Sequence, residues 1–176
     1  MRTEQFHADD LVEVFRAQTI VTMADLKQSL GTTVDATVFR KLREIAYRTS
    51  YSHRASYYTL DDIAEFDQLG LWSFRSVWFS VYGTLMATVE AFVSESETGC
   101  YAADLESILH VGVKDPLRKL TRRGAIWREK IQGRYLYCSA DRRTRKQQLL
   151  LRSSQDELLG SAVGVLSGKI LPDELK

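Results

Sequence analysis

The chain is poor in the residues that build most chemical sites. Two cysteines, Cys100 and Cys138, stand 38 positions apart, and the three histidines, His7, His53 and His110, are isolated from one another. Neither set has metal-ligand spacing, so no metal and no cofactor is expected, and the thiols are expected to be buried or idle. There is no glycine-rich phosphate loop, and the scattered serines and histidines form no nucleophile motif. No catalytic residue can be nominated, and the expectation is that the chain is not an enzyme. No apolar run approaches the roughly 18 residues of a membrane span, and Met1 to Asp10 is too polar for a signal peptide. A cytoplasmic protein with no membrane partner is therefore expected.

Net charge is also scarce, at +1 over 176 residues. That total conceals an uneven distribution. Residues 1–113 carry 9 basic and 16 acidic side chains, residues 114–146 carry 12 and 3, and residues 147–176 carry 3 and 4. The nine excess positive charges of the middle segment form a local field that a polyanionic partner would meet.

What the chain does have is an internal repeat. Ala24-Asp25-Leu26, Leu30, Val34, Phe39-Arg40-Lys41-Leu42 and Tyr57 return as Ala103-Asp104-Leu105, Leu109, Val113, Leu117-Arg118-Lys119-Leu120 and Tyr135, at a separation of 79 positions narrowing to 78. That period is longer than the roughly 20–50 residues of a solenoid repeat and suits a duplicated small domain.

Each copy reads as three helices followed by a hairpin. In the first, a helix of about ten residues starts at Asp9 or Asp10. Thr22 caps a second helix from Met23 to Leu30, with Gly31 as its stop, and a third covers about 35–48. In the second, a helix follows Gly83 and ends near Gly99, and Ala103 to Leu109 forms another. Asp115-Pro116 reads as an N-cap with proline at the first helical position of a helix over 116–123, and Gly124 ends it. Ala125 to Lys130, a turn at Gln132-Gly133, and Arg134 to Cys138 make the hairpin. Asp61 to Gln68 looks helical, Leu71 to Tyr82 reads as an aromatic seam between domains, and Asp141 to Gly160 reads as a helix before a weakly patterned tail. The expected domains are 1–60 and 83–140, with a connector over 61–82 and a C-terminal helix and tail over 141–176.

This order of elements resembles the winged helix-turn-helix family, in two tandem copies of a mainly α fold with small hairpins plus a C-terminal helix. The resemblance covers about residues 10–60 and 83–139. It implies a sequence-specific double-stranded DNA-binding protein of the transcription-regulator kind, whose third helix enters the major groove and whose wing follows the backbone. The residues it nominates are Arg118, Lys119, Arg122 and Arg123 on the second recognition helix, and Arg128, Lys130 and Arg134 on its wing. Arg142 and Arg143, in the basic run 142–146, follow as phosphate contacts. In the first copy they are Thr37, Arg40, Lys41 and Arg43, with Arg54 at the wing. Tyr57, Tyr135 and Tyr137 are assigned to sheet packing, and Asp115 to helix capping.

A second class stays open. Tandem winged helices also serve as scaffolds, as in the kleisin-binding subunits of bacterial chromosome-condensing complexes, and the acidic stretch before Lys114 suits a protein partner. A homodimer through the C-terminal helix or the aromatic connector is a further expectation.

Overall fold

The computed structural model describes residues 5–167. The chain divides into two compact units, one ending at Thr88 and the other beginning at Val89.

The first unit opens with α1 (Ala8–Gln18), which buries Leu11 and Phe15 completely. A short strand, β1 (Val21–Thr22), leads into α2 (Met23–Leu30). Thr22 caps α2: its hydroxyl accepts from Asp25 N, and the Asp25 carboxylate accepts from Thr22 N at 2.9 Å. Gly31 closes α2 in the left-handed conformation, at φ 69°. Then come α3 (Asp35–Leu42), β2 (Tyr47–Thr49) and β3 (Tyr57–Leu60). The strands form an antiparallel sheet in the order β1-β3-β2, which closes over a core of Leu11, Phe15, Leu26, Val38 and Leu42. Burying each such side chain stabilises the unit by about 1.5–3 kcal/mol.

The connector is a hairpin of its own, β4 (Leu71–Phe74) and β5 (Val77–Ser80), turning at Arg75-Ser76 with φ of 49° and 63°. Trp72, Phe74 and Phe79 pack together on one of its faces. It belongs to the first unit, and its Trp78 is bonded to the β2–β3 loop: Tyr51 N donates to Trp78 O at 2.9 Å, and Trp78 N donates to Ser52 Oγ at 2.8 Å. Helix α4 (Leu85–Glu95) crosses the division between the units.

The second unit repeats the plan with β6 (Cys100–Tyr101), α5 (Ala102–Leu109), α6 (Lys114–Arg122), β7 (Ile126–Ile131) and β8 (Arg134–Ser139). Its sheet runs β6-β8-β7. Gln132 and Gly133 supply the two positive-φ residues that a tight hairpin turn needs, at 48° and 83°. The Asp104 carboxylate accepts from Tyr101 N at 3.2 Å, as Asp25 does from Thr22 N. The repeated Ala-Asp-Leu thus has a physical reason: the aspartate ties down the helix start and the leucine fills the core. Helix α7 (Arg142–Ser167) follows, with Asp141 accepting from Thr144 N and Oγ1 at its start.

Several expectations are corrected. The mainly α plan of two winged helix-turn-helix domains does not hold: the described residues are 50% helical and 19% strand, in seven helices and three antiparallel sheets, an α/β composition. The β4–β5 sheet has no place in a twofold repeat. Residues 61–68 form a turn and an irregular stretch rather than a helix, and Asp67 folds its carboxylate back onto Leu69 N and Leu71 N. Helix α3 stops at Leu42 instead of 48, since Tyr47–Thr49 is drawn into the sheet opposite Tyr58–Leu60. Helix α4 starts at Leu85 and ends at Glu95, short of Gly99. Helix α7 continues past Gly160 to Ser167; the rest of the expected tail, 168–176, lies outside the described residues. No helix among the described residues is long and apolar enough to cross a membrane.

Candidate nucleic-acid interface

The repeat keeps one spacing throughout the structure. Val21 pairs with Tyr58 and Cys100 with Tyr137, while Thr22 pairs with Tyr57 and Tyr101 with Leu136. The sheets therefore superpose at the longer of the two separations seen in the sequence, and Tyr57 corresponds to Leu136 rather than Tyr135. The third helices keep the same register: Val38 and Leu117 are both fully buried, and Lys41 falls at the place of the fully buried Leu120. The matching Arg-Lys-Leu strings are offset from that register by one position, about 100° around a helix.

That single position decides which cations face out. Lys41, expected to contact DNA, is only 3% exposed, and its ammonium meets the Glu44 carboxylate at 2.9 Å. Arg40 and Arg43 are exposed, Thr37 is half-buried, and Glu44 occupies the position that Arg123 holds in the second unit. Arg54 is exposed in a turn where His53, Arg54 and Ala55 are all left-handed, at φ 52°, 55° and 58°.

The second unit is more sharply divided. Helix α6 buries Pro116, Leu117 and Leu120 and turns Lys114, Arg118, Lys119, Arg122 and Arg123 to the outside. Its start departs from expectation. Val113 occupies the cap position and makes no side-chain cap bond, so Asp115 is the second helical residue and Pro116 the third. Proline is tolerated there because the first-turn N–H groups have no partner within the helix. Asp115 instead bridges Arg118, at 2.6 Å, and Lys119, at 2.8 Å. Hydrogen bonds from Lys119 and then Arg118 hold its carboxyl below the usual carboxylate range. Arg122 and Arg123 make no ion pair among the described residues.

On the hairpin, Arg128, Lys130 and Arg134 are exposed, and all three lie over aromatic rings, with the Lys130 ammonium 6.0 Å from the Tyr135 centroid. The Arg128 guanidinium is 4.2 Å from the Tyr135 ring centroid, and that of Arg134 is 4.1 Å from Tyr101. Tyr135 is 41% exposed, so it supports Arg128 and Lys130 on the surface instead of packing within the sheet as expected; Tyr137 is buried. Arg142 and Arg143 are exposed in the first turn of α7. The structure thus gathers the nominated cations of the second unit on α6, its hairpin and the start of α7, and withdraws Lys41 in the first. Sequence reasoning passed over Trp127, which is 48% exposed with the Arg145 guanidinium 4.3 Å from its ring. An indole beside Arg128, on a strand within the basic segment 114–146, was the available signal.

Both cysteines are free. Cys100 pairs with Tyr137, so Cys138, one residue on, faces the opposite side of the sheet and a disulfide between them is disfavoured. Burial raises both thiols, Cys138 to about 11. Among the described residues no group of histidine, cysteine and carboxylate side chains could hold a metal ion. No protein-family model, curated protein or solved structure matches this chain.

Proposed function

We propose that the chain binds double-stranded DNA through its second unit, in the manner of a transcription regulator. Helix α6 lies along the groove, and the β7–β8 hairpin with the first turn of α7 grips phosphates. The observation that carries this is the division of α6: one side is a packed apolar ridge, and the other holds Arg118, Lys119 and Arg122 beyond its first turn, with Arg123 at the C-cap. A nine-residue helix is about 13 Å long, and the major groove, about 12 Å wide, admits one such cylinder. Arg122 is the prime candidate for a base edge, since Arg118 and Lys119 share Asp115. Lys130, Arg142 and Arg143 serve the backbone.

The first unit plays a lesser part. Its third helix offers only Arg40 and Arg43, its Lys41 is turned inward, and its loop between β2 and β3 is bonded to the β4–β5 hairpin. We also infer that two copies of the chain pair through α7, whose Leu158 and Val163 are 73% and 63% exposed.

Fluorescence anisotropy on a duplex selected from random sequence tests the DNA reading. Affinity is expected to fall steeply with salt, with a slope of log K on log salt of about −4.5 if about five phosphates are neutralised. Arg122→Ala is expected to weaken binding about tenfold or more, and Arg40→Ala about threefold or less. Equal losses would refute the unequal use of the two units. Absence of duplex binding at low salt would refute the reading and favour a protein-binding scaffold.

A further inference from the structure

The end of α6, the start of β7 and the first turn of α7 enclose a cleft of about 460 Å³, lined by Thr121, Gly124, Ile126, Trp127, Arg128 and Arg145 among others. Its size lies within the range of small-molecule sites, roughly 300–1,000 Å³. We propose that this cleft binds one nucleotide unit, with the nucleobase stacked against the Trp127 indole and the phosphate held by Arg145.

Three features of the cleft select this chemistry. The indole is a flat apolar surface left about half in water, although Trp127 shares its side of the sheet with the buried Cys138 and Leu136. Stacking a planar ring there removes that exposure and leaves the guanidinium in place. Arg145 is half-buried and held by the ring at 4.3 Å, with a long 3.4 Å bond to Ala140 O and no ion pair among the described residues. Its remaining N–H donors suit a phosphate, for which a guanidinium is well shaped.

No carboxylate lines the cleft; Glu129 meets the indole N–H from outside it, at 3.4 Å. The chain on both sides supplies further positive charge, with Arg122-Arg123 directly after Thr121 and Arg142-Arg143 in the same turn as Arg145. An aromatic platform with a fixed cation beside it, set in a positive field, matches a base joined to a phosphate. A neutral ring would leave the cation unused, and inorganic phosphate would leave the indole wet.

The nucleotide is either free or an unpaired residue of a DNA strand; the second source rests on the DNA-binding reading above, and the first does not. Calorimetry on the full chain, with adenosine monophosphate, adenosine and inorganic phosphate as probes, tests the site. The monophosphate is expected to bind about tenfold or more tightly than either fragment, in line with the effect of one stacked base. Trp127→Ala and Arg145→Met should each lose about tenfold, while Trp127→Phe, which keeps a ring, should retain most of the affinity.

Anisotropy on a blunt duplex and on the same duplex with a short single-stranded overhang identifies the source. A gain from the overhang that Trp127→Ala abolishes points to a strand, and monophosphate binding with no such gain points to a free nucleotide. A monophosphate no tighter than phosphate, or unaffected by Trp127→Ala in a variant with an unchanged circular dichroism spectrum, overturns the proposal. Monophosphate binding with no blunt-duplex binding would refute the DNA reading alone.

Discussion

The second unit depends heavily on one amide. Gln148 is fully enclosed, and its Nε2 donates to Val93 O and Ser96 O, both at 2.8 Å, while its Oε1 accepts from Ser139 N at 2.8 Å. It satisfies the last turn of α4 and the end of β8 together and so fixes where α7 lies. Arg152 extends the same seam to Thr98 O and Gly99 O. Gln148→Leu keeps the volume but strands buried polar groups, at about 1–3 kcal/mol each. A loss of about 2–4 kcal/mol is expected in urea unfolding, with the slope unchanged. A converse case is Ala55, held left-handed at φ 58° without being glycine. Ala55→Gly is expected to stabilise the first unit by about 0.5–1 kcal/mol, because the left-handed cost of about 1–2 kcal/mol exceeds the added entropy of the unfolded chain. Neither residue was legible beforehand. Periodicity counts apolar positions, so a buried amide within a leucine-rich helix passes as surface, and backbone handedness leaves no mark on an alanine.

At the scale of elements, α6 combines the proposed recognition surface with restraint. The Asp115 carboxyl, held low by Lys119 and Arg118, stays ionised well below neutral pH, so lowering the pH towards 5 does not free those cations. Asp115→Asn does. It is expected to tighten duplex binding about three- to tenfold at low salt and to steepen the salt dependence by one or two phosphates, measured by anisotropy. An unchanged slope would mean that Arg118 and Lys119 do not reach the backbone. Helices with strong punctuation were readable: Thr22 before α2, Gly31 after it and Gly124 after α6 mark real ends. The hairpin at Gln132-Gly133 was equally legible, since its turn chemistry is local. Other features required knowing which side of a helix meets the core. Asp115 looked like a cap because it precedes proline, and Lys41 looked exposed because its string matched Arg118-Lys119 one position out of register. The β4–β5 hairpin was missed for a related reason: its aromatics suggested packing, and the alternation that makes them a strand pair was not used.

For the whole molecule, the repeat is unequally charged: the second unit exposes the cations on which the DNA proposal rests, while the first pairs several of its own, such as Arg48 with Asp61 and Lys27 with Asp35. A single α6-type surface is a small footprint for selective binding, and the inferred pairing of two chains would double it. On α7, Leu151 and Leu158 stand two turns apart on one side of the helix, and Leu158, Leu159 and Val163 are 73%, 61% and 63% exposed. Covering these last three on each of two chains would release about 1.5–3 kcal/mol per side chain, about 9–18 kcal/mol in all, against an association cost of about 4–15 kcal/mol. Because the two ranges overlap, the pairing inferred above would be reversible rather than permanent. Sedimentation equilibrium is expected to show a monomer–dimer exchange that Leu158→Glu shifts fully to monomer, since a charge there must be desolvated twice in the pair. The same variant keeps α6 and its hairpin intact. It should therefore bind a single half-site as well as wild type and lose affinity only for a duplex carrying two, where the second contact benefits from effective concentration. A wild-type chain that stays monomeric at tens of micromolar, or a two-site duplex that does not distinguish the variant, would refute the pairing.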